Sequence, residues 1–83
     1  MQIVERFQLS GRGLVVICDR PTDFPAGGNL KATIARPDGS KVITTASKEY
    51  GYRSEPPHEF EAFVLKGLDL SDVPDGSAVE FGL

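Results

Sequence analysis

His58 is the only histidine of the chain and stands in the run Pro57-His58-Glu59. An imidazole beside a carboxylate is the pairing that general acid-base catalysis uses. Adjacent residues of an extended chain point to opposite faces, however, so His58 and Glu59 do not converge on one reacting atom. No serine or cysteine nucleophile pattern accompanies them. The expectation is an inert histidine and no enzyme. Cys18 is the only cysteine and ends the apolar run Leu14-Val15-Val16-Ile17. It reads as a small core residue, and alone it forms no intrachain disulfide. Asp69, Asp72 and Asp75 recur at every third position. A calcium loop of the helix-loop-helix kind needs oxygens at alternate positions and a closing glutamate. This segment has neither, so it reads as a solvated turn. No metal and no other cofactor is expected.

Gly11-Arg12-Gly13 invites a phosphate reading, but glycine loops hold phosphate where a helix N-terminus follows. A β-branched run follows here, so these three residues read as a structural turn. The residues that suit recognition are Tyr50, Tyr52 and Arg53. Their types are enriched at binding hot spots, and they precede the stiff pair Pro56-Pro57. Residues 50–57 are therefore expected to form a loop that binds another protein.

Charge weakens the nucleic-acid alternative. The net charge is −3, and the basic residues Arg12, Arg20, Arg36 and Arg53 are scattered. Affinity for nucleic acid rests largely on neutralising phosphates. Residues 1–53 carry a net +3 and residues 54–83 a net −6. First and last strands of a barrel are neighbours, so these opposite charges are expected to mix in space.

The elements that must position these residues are strands. Ile3, Glu5, Phe7 and Leu9 alternate with Val4, Arg6 and Gln8, the period of a strand. Leu14 to Cys18 is apolar on both faces and reads as a central, doubly covered strand. Residues 19–28 hold Pro21, Pro25, Gly27 and Gly28 and read as a loop. Leu30, Ala32 and Ile34 form a third strand. Arg36-Pro37-Asp38-Gly39 is a turn signal, and Val42 to Thr45 return as a fourth strand. Glu59 to Leu65 and Ala78 to Phe81 supply the last two. The segment between them allows one helical turn, capped by Asp69 or Ser71. The expected core is Phe7, Leu9, Val15, Ile17, Leu30, Ile34, Val42, Phe60, Val64 and Phe81, with Val15 and Ile17 near its centre. A chain of 83 residues makes one domain, residues 1–83. No window is long and apolar enough for a membrane helix, and the N-terminus does not read as a signal peptide. A cytoplasmic protein is expected.

The order Phe7-Gln-Leu-Ser-Gly-Arg-Gly-Leu-Val-Val-Ile17 resembles the opening of the second domain of translational GTPases of the elongation factor Tu type. The tail, with its strand ending at Gly67 and a second glycine at Gly76 before the last strand, is similar to that family's closing element. The resemblance implies an all-β fold: a small antiparallel β-barrel of six to seven strands, closed or nearly closed, without the GTPase domain. Closure also removes sheet edges. The family continues differently after Val16, where this chain has Ile17-Cys18-Asp19-Arg20-Pro21, so no RNA contact transfers to any position. The expected function is a non-enzymatic barrel that binds another protein, as an accessory factor or an antitoxin-like or immunity-like inhibitor. The resemblance implies an RNA- or ribosome-associated alternative; among partners, another protein is expected first, with a homo-oligomer beside it.

Overall fold

Alternating and β-branched runs separated by glycine turns give six strands: β1 (Ile3–Leu9), β2 (Gly13–Cys18), β3 (Gly27–Ala35), β4 (Lys41–Ser54), β5 (Pro57–Leu65) and β6 (Ala78–Gly82). The structure is a computed structural model that describes residues 1–54 and 57–82, without the side chains of Arg53, Pro57 and His58. Among the described residues the one helical element is a 3-10 turn, Leu70–Asp72. The sheet runs β1-β2-β5-β4-β3-β6, and all its neighbours are antiparallel.

The barrel is not closed. Its two end strands, β1 and β6, meet at a single bridge, Gln2 with Ala78. Beyond it the chain before β6 turns away, since Ser77 N donates to Pro74 O and the 3-10 turn lies just upstream. β6 therefore has no residues left to line the remainder of β1, and the sheet is an open half-barrel. Side chains fill the seam instead. Arg6 donates to Leu70 O at 3.2 Å and to Asp75 Oδ1 at 2.8 Å, and Gln8 accepts from Leu70 N at 3.1 Å.

Local chemistry explains each turn. Gly39 holds φ +91° and donates to Arg36 O, while Asp38 accepts from the Ser40 amide and hydroxyl. Gly13 holds φ +112°, and a Cβ there would stand 2.4 Å from Leu65 O. Only glycine lets the β1–β2 turn pass so close to β5. Asp69 caps the 3-10 turn, accepting from the amides of Ser71 and Asp72, and Asp72 closes the box by accepting from Asp69 N. The aspartates at 69, 72 and 75 thus serve a cap and the Arg6 contact. Gly27 and Gly28 belong to β3 and not to the preceding loop; both have positive φ and sit at a bulge in the β3–β4 ladder.

The main core lies between the curled halves of the sheet: Leu14, Val16, Leu30, Ala32, Ile34, Ala46, Phe63, Leu65, Val73 and Val79. Leu30 and Ile34 are where the sequence places them. Val15 and Ile17 are not at the barrel's centre; Leu14 and Val16 are, and Val15 and Ile17 point to the opposite face with Ala62 and Val64. A strand apolar on both faces carries no parity signal, so alternation alone does not orient it. Val15 and Val64 are buried as expected, but Phe7 is not and stands 44% exposed. A register shift between Ile3 and Glu5 inserts Val4 as an extra residue, and such a bulge inverts the faces of the strand beyond it. Ile3 meets the main core, whereas Phe7, paired with Val15, faces outward. Leu9, Ile17, Val42, Phe60 and Phe81 are half-buried.

The two oppositely charged halves of the chain meet in space. Arg6 with Asp75, Arg36 with Asp72 and Lys48 with Glu61 each join residues 1–53 to residues 54–83.

Candidate functional site

Tyr50 and Tyr52 do not lie in a loop. β4 runs on through them to Ser54, and β5 begins at Pro57. The ladder pairs Tyr50 with Glu61, Gly51 with Phe60 and Tyr52 with Glu59. β3 pairs with β4 only as far as Lys48, and β2 pairs with β5 only at Phe63 to Leu65. Residues 49–54 and 57–62 therefore form a two-stranded arm that outruns its flanking strands. Gly51 and Pro57, read as loop punctuation, lie within strands. Gly51 survives in a strand because the Phe60 ring lies across it, 2.2 Å from where a Cβ would be. An aromatic facing a strand glycine restores the packing the glycine lacks.

Alternation puts Tyr50 and Tyr52 on one face of the arm with Glu59 and Glu61. Tyr50 is 54% exposed and Tyr52 66% exposed, so neither covers the core. Arg53 pairs through its backbone with His58 at the far end of the arm. The expected roles of the Arg53 and His58 side chains, and of Pro56, lie outside the described residues.

The root of the arm is held by a pair the sequence reading passed over. Lys48 is 2% exposed. Its Nζ lies 3.0 Å from Glu61 Oε1 and donates to Phe24 O at 2.6 Å and Thr22 O at 3.2 Å. Glu61 in turn accepts from Thr22 N at 3.0 Å and from Thr22 Oγ1 at 2.7 Å. The Lys48 ammonium also sits 5.4 Å from the centroid of the Tyr50 ring, within cation-π range. Burial disfavours the Lys48 ammonium, but the hydrogen bond and charge of Glu61 more than offset it and raise the lysine's pKa. Burial likewise pushes Glu61 up, and the Thr22 and Lys48 hydrogen bonds outweigh it and hold the carboxyl below its ordinary range. The pair ties residues 22–24 to the sheet and fixes one tyrosine. A sequence signal exists: Lys48 and Glu61 occupy inward positions of two consecutive strands, and inward charges must be paired.

A cavity of about 450 Å³ opens beside the arm, between Tyr50, Glu59 and Glu61 on one side and Cys18, Arg20 and Pro21 on the other. Cys18 is half-buried, and burial raises its pKa to about 11. A thiol so poised stays protonated at neutral pH and is a poor nucleophile. Gly11 and Gly13 both hold positive φ, and Arg12 between them pairs with Glu49 at 2.9 Å. Among the described residues, no group of three or more histidine, cysteine or acidic side chains is placed to hold a metal. No helix among them is long and apolar enough to cross a membrane. No protein-family model, curated protein or solved structure matches this chain.

Proposed function

We propose that the protein is a non-enzymatic binding module that grips another protein with the arm formed by β4 and β5. The observation that carries this reading is the pair of exposed tyrosines on one face of a ribbon whose outer edges have no flanking strand among the described residues. Tyrosines supply large contact area at small entropic cost. A strand edge offers backbone hydrogen bonds to an extended segment of a partner. Exposed Glu59 shares the tyrosine face, while Glu61 is already paired with Lys48, so the favoured partner segment is extended and carries a basic residue opposite Glu59. Accessory-factor and inhibitor roles both fit such a surface. Kinship with translation-factor barrels rests on the Gly11-Arg12-Gly13 order, and an RNA-associated role is its corollary; the net charge of −3 weighs against it.

The test is affinity purification with the wild type and a Tyr50→Ala, Tyr52→Ala double variant, each checked by circular dichroism and thermal melting. The double variant should stay folded and lose the proteins that the wild type retains. Retention of the same proteins by both refutes the arm. Submicromolar RNA binding with a steep salt dependence would favour the alternative.

A further inference from the structure

β2 and β5 part company before the arm begins. They pair only from Leu14 to Val16, opposite Leu65 to Phe63. The same register carried on would set Cys18 against Glu61, but the strands diverge there, and the cavity of about 450 Å³ opens between them. Ladder parity fixes which backbone groups face this wedge. Lys66 N donates to Thr45 O on β4, and β4 and β5 pair without a shift from Ala46 with Leu65 to Ser54 with Pro57. Alternate residues of a strand direct their N–H and C=O groups the same way. Val64, Ala62 and Phe60 therefore turn theirs to β4, and Phe63, Glu61 and Glu59 turn theirs to the β2 side. From across the gap, Asp19 N donates to Gln2 O, which leaves Val16 and Cys18 turned to β5. Val16 meets Phe63. Past that pair, Cys18, Glu61 and Glu59 direct backbone donors and acceptors into the wedge, and no strand among the described residues takes them.

We propose, on the reading of the arm as the protein-binding element, that a partner's extended segment enters this wedge and adds to the edge of β5, with a lysine or arginine opposite Glu59 and an apolar residue opposite Phe60. An unpaired strand edge is a template for a further strand. Strand addition draws affinity from such backbone groups and specificity from alternate side chains. The cavity's volume lies within the ~300–1,000 Å³ of binding clefts.

Charge sets the pattern of the segment. Within the wedge, Glu61 is paired with Lys48 at 3.0 Å and Asp19 with Arg20 at 3.5 Å. The charge that remains is exposed Glu59. Residues directly opposite in a ladder share a face. The residue opposite Glu59 thus lies on the tyrosine face, and a cation there meets a carboxylate. Its neighbour opposite Phe60 falls on the other face, where half-buried Ile17 and Phe60 line the wedge. The same parity turns the N–H groups of Tyr50 and Tyr52 to the other edge of the arm, so each edge has its own reporters.

The experiment selects random heptapeptides displayed on phage against the wild type and Glu59→Lys, both checked by circular dichroism and melting. A synthetic copy of a selected peptide is then measured by calorimetry and by amide exchange. The wild type should enrich a lysine or arginine next to an apolar residue. Glu59→Lys should bind that peptide at least tenfold more weakly and enrich aspartate or glutamate in place of the basic residue. On binding, the amides of Glu59 and Glu61 should gain protection and those of Tyr50 and Tyr52 should not. Protection at Tyr50 and Tyr52 instead keeps the arm as the binding element and overturns the wedge. A wild type that selects no peptide overturns it too, as do the same peptides selected by both proteins. A peptide that protects Glu59 and Glu61 yet binds the Tyr50→Ala, Tyr52→Ala variant unchanged supports the wedge and overturns the role of the tyrosines.

Discussion

Single residues carry much of this fold through conformation and charge. Gly13 combines φ +112° with a Cβ position 2.4 Å from the Leu65 carbonyl oxygen. Both faults fall on backbone, which relaxes poorly. Gly13→Ala should cost about 2–4 kcal/mol from positive φ and steric clash together, read from chemical denaturation. Gly11 has nothing within reach of a Cβ, so Gly11→Ala should cost about 1 kcal/mol, from its φ alone. Equal losses at the two sites would show that proximity to β5 is not what selects glycine at 13. Glu61 gives a pH signature. Its folded pKa lies below the ordinary 4.5. The stability it contributes is therefore present above about 4.5 and lost as pH falls through the lowered value. Asp38 and Asp69, held low by hydrogen bonds from Ser40 and Ser71, act in the same direction. The melting temperature should drop on acidification below that range. Glu61→Gln should lower it at neutral pH and shrink the acid-dependent drop. Melting curves whose pH profiles stay parallel would refute the role given to Glu61.

Among the elements, the β4–β5 arm stands apart. Two strands alone are marginally stable, and among the described residues no strand flanks this pair beyond Lys48 on β4 and Phe63 on β5. Its support is the Lys48–Glu61 pair at the root and the Phe60 ring over Gly51. Amide exchange should therefore be faster in residues 49–54 and 59–61 than in the five-residue rungs where β3 lies between β4 and β6. Lys48→Met should accelerate exchange in residues 22–24 as well, since it removes the donor to Thr22 O and Phe24 O. Uniform protection across the sheet would show that the arm is held by more than its root. The length of the arm escaped a reading of punctuation. Glycine and proline mark loops by default, yet Gly51 is accommodated by an aromatic across the ladder. No local rule reads that pairing before the register is known.

At the scale of the whole molecule, the chain itself determined the class of fold and most of its punctuation. Period-two alternation, β-branched runs, the Arg36–Gly39 turn and the Asp69 cap are local preferences, and local physics sets them. Leu30 and Ile34 could be assigned to the core for the same reason, since their strand alternates cleanly. Tertiary structure decided the rest. A bulge at Val4 reversed the faces of β1, and nothing in the residues of that strand announces an inserted position. β2, apolar on both sides, took its orientation from what packed against it. Closure depended on the length of β6 and on where the Pro74–Ser77 turn left the sheet, a property of two distant segments together. The Lys48–Glu61 pair and the tyrosine face required knowing that residue 48 opposes residue 63 and residue 50 opposes residue 61. Register is a long-range quantity: a shift of one residue exchanges every inward side chain for an outward one, and only the folded sheet fixes it.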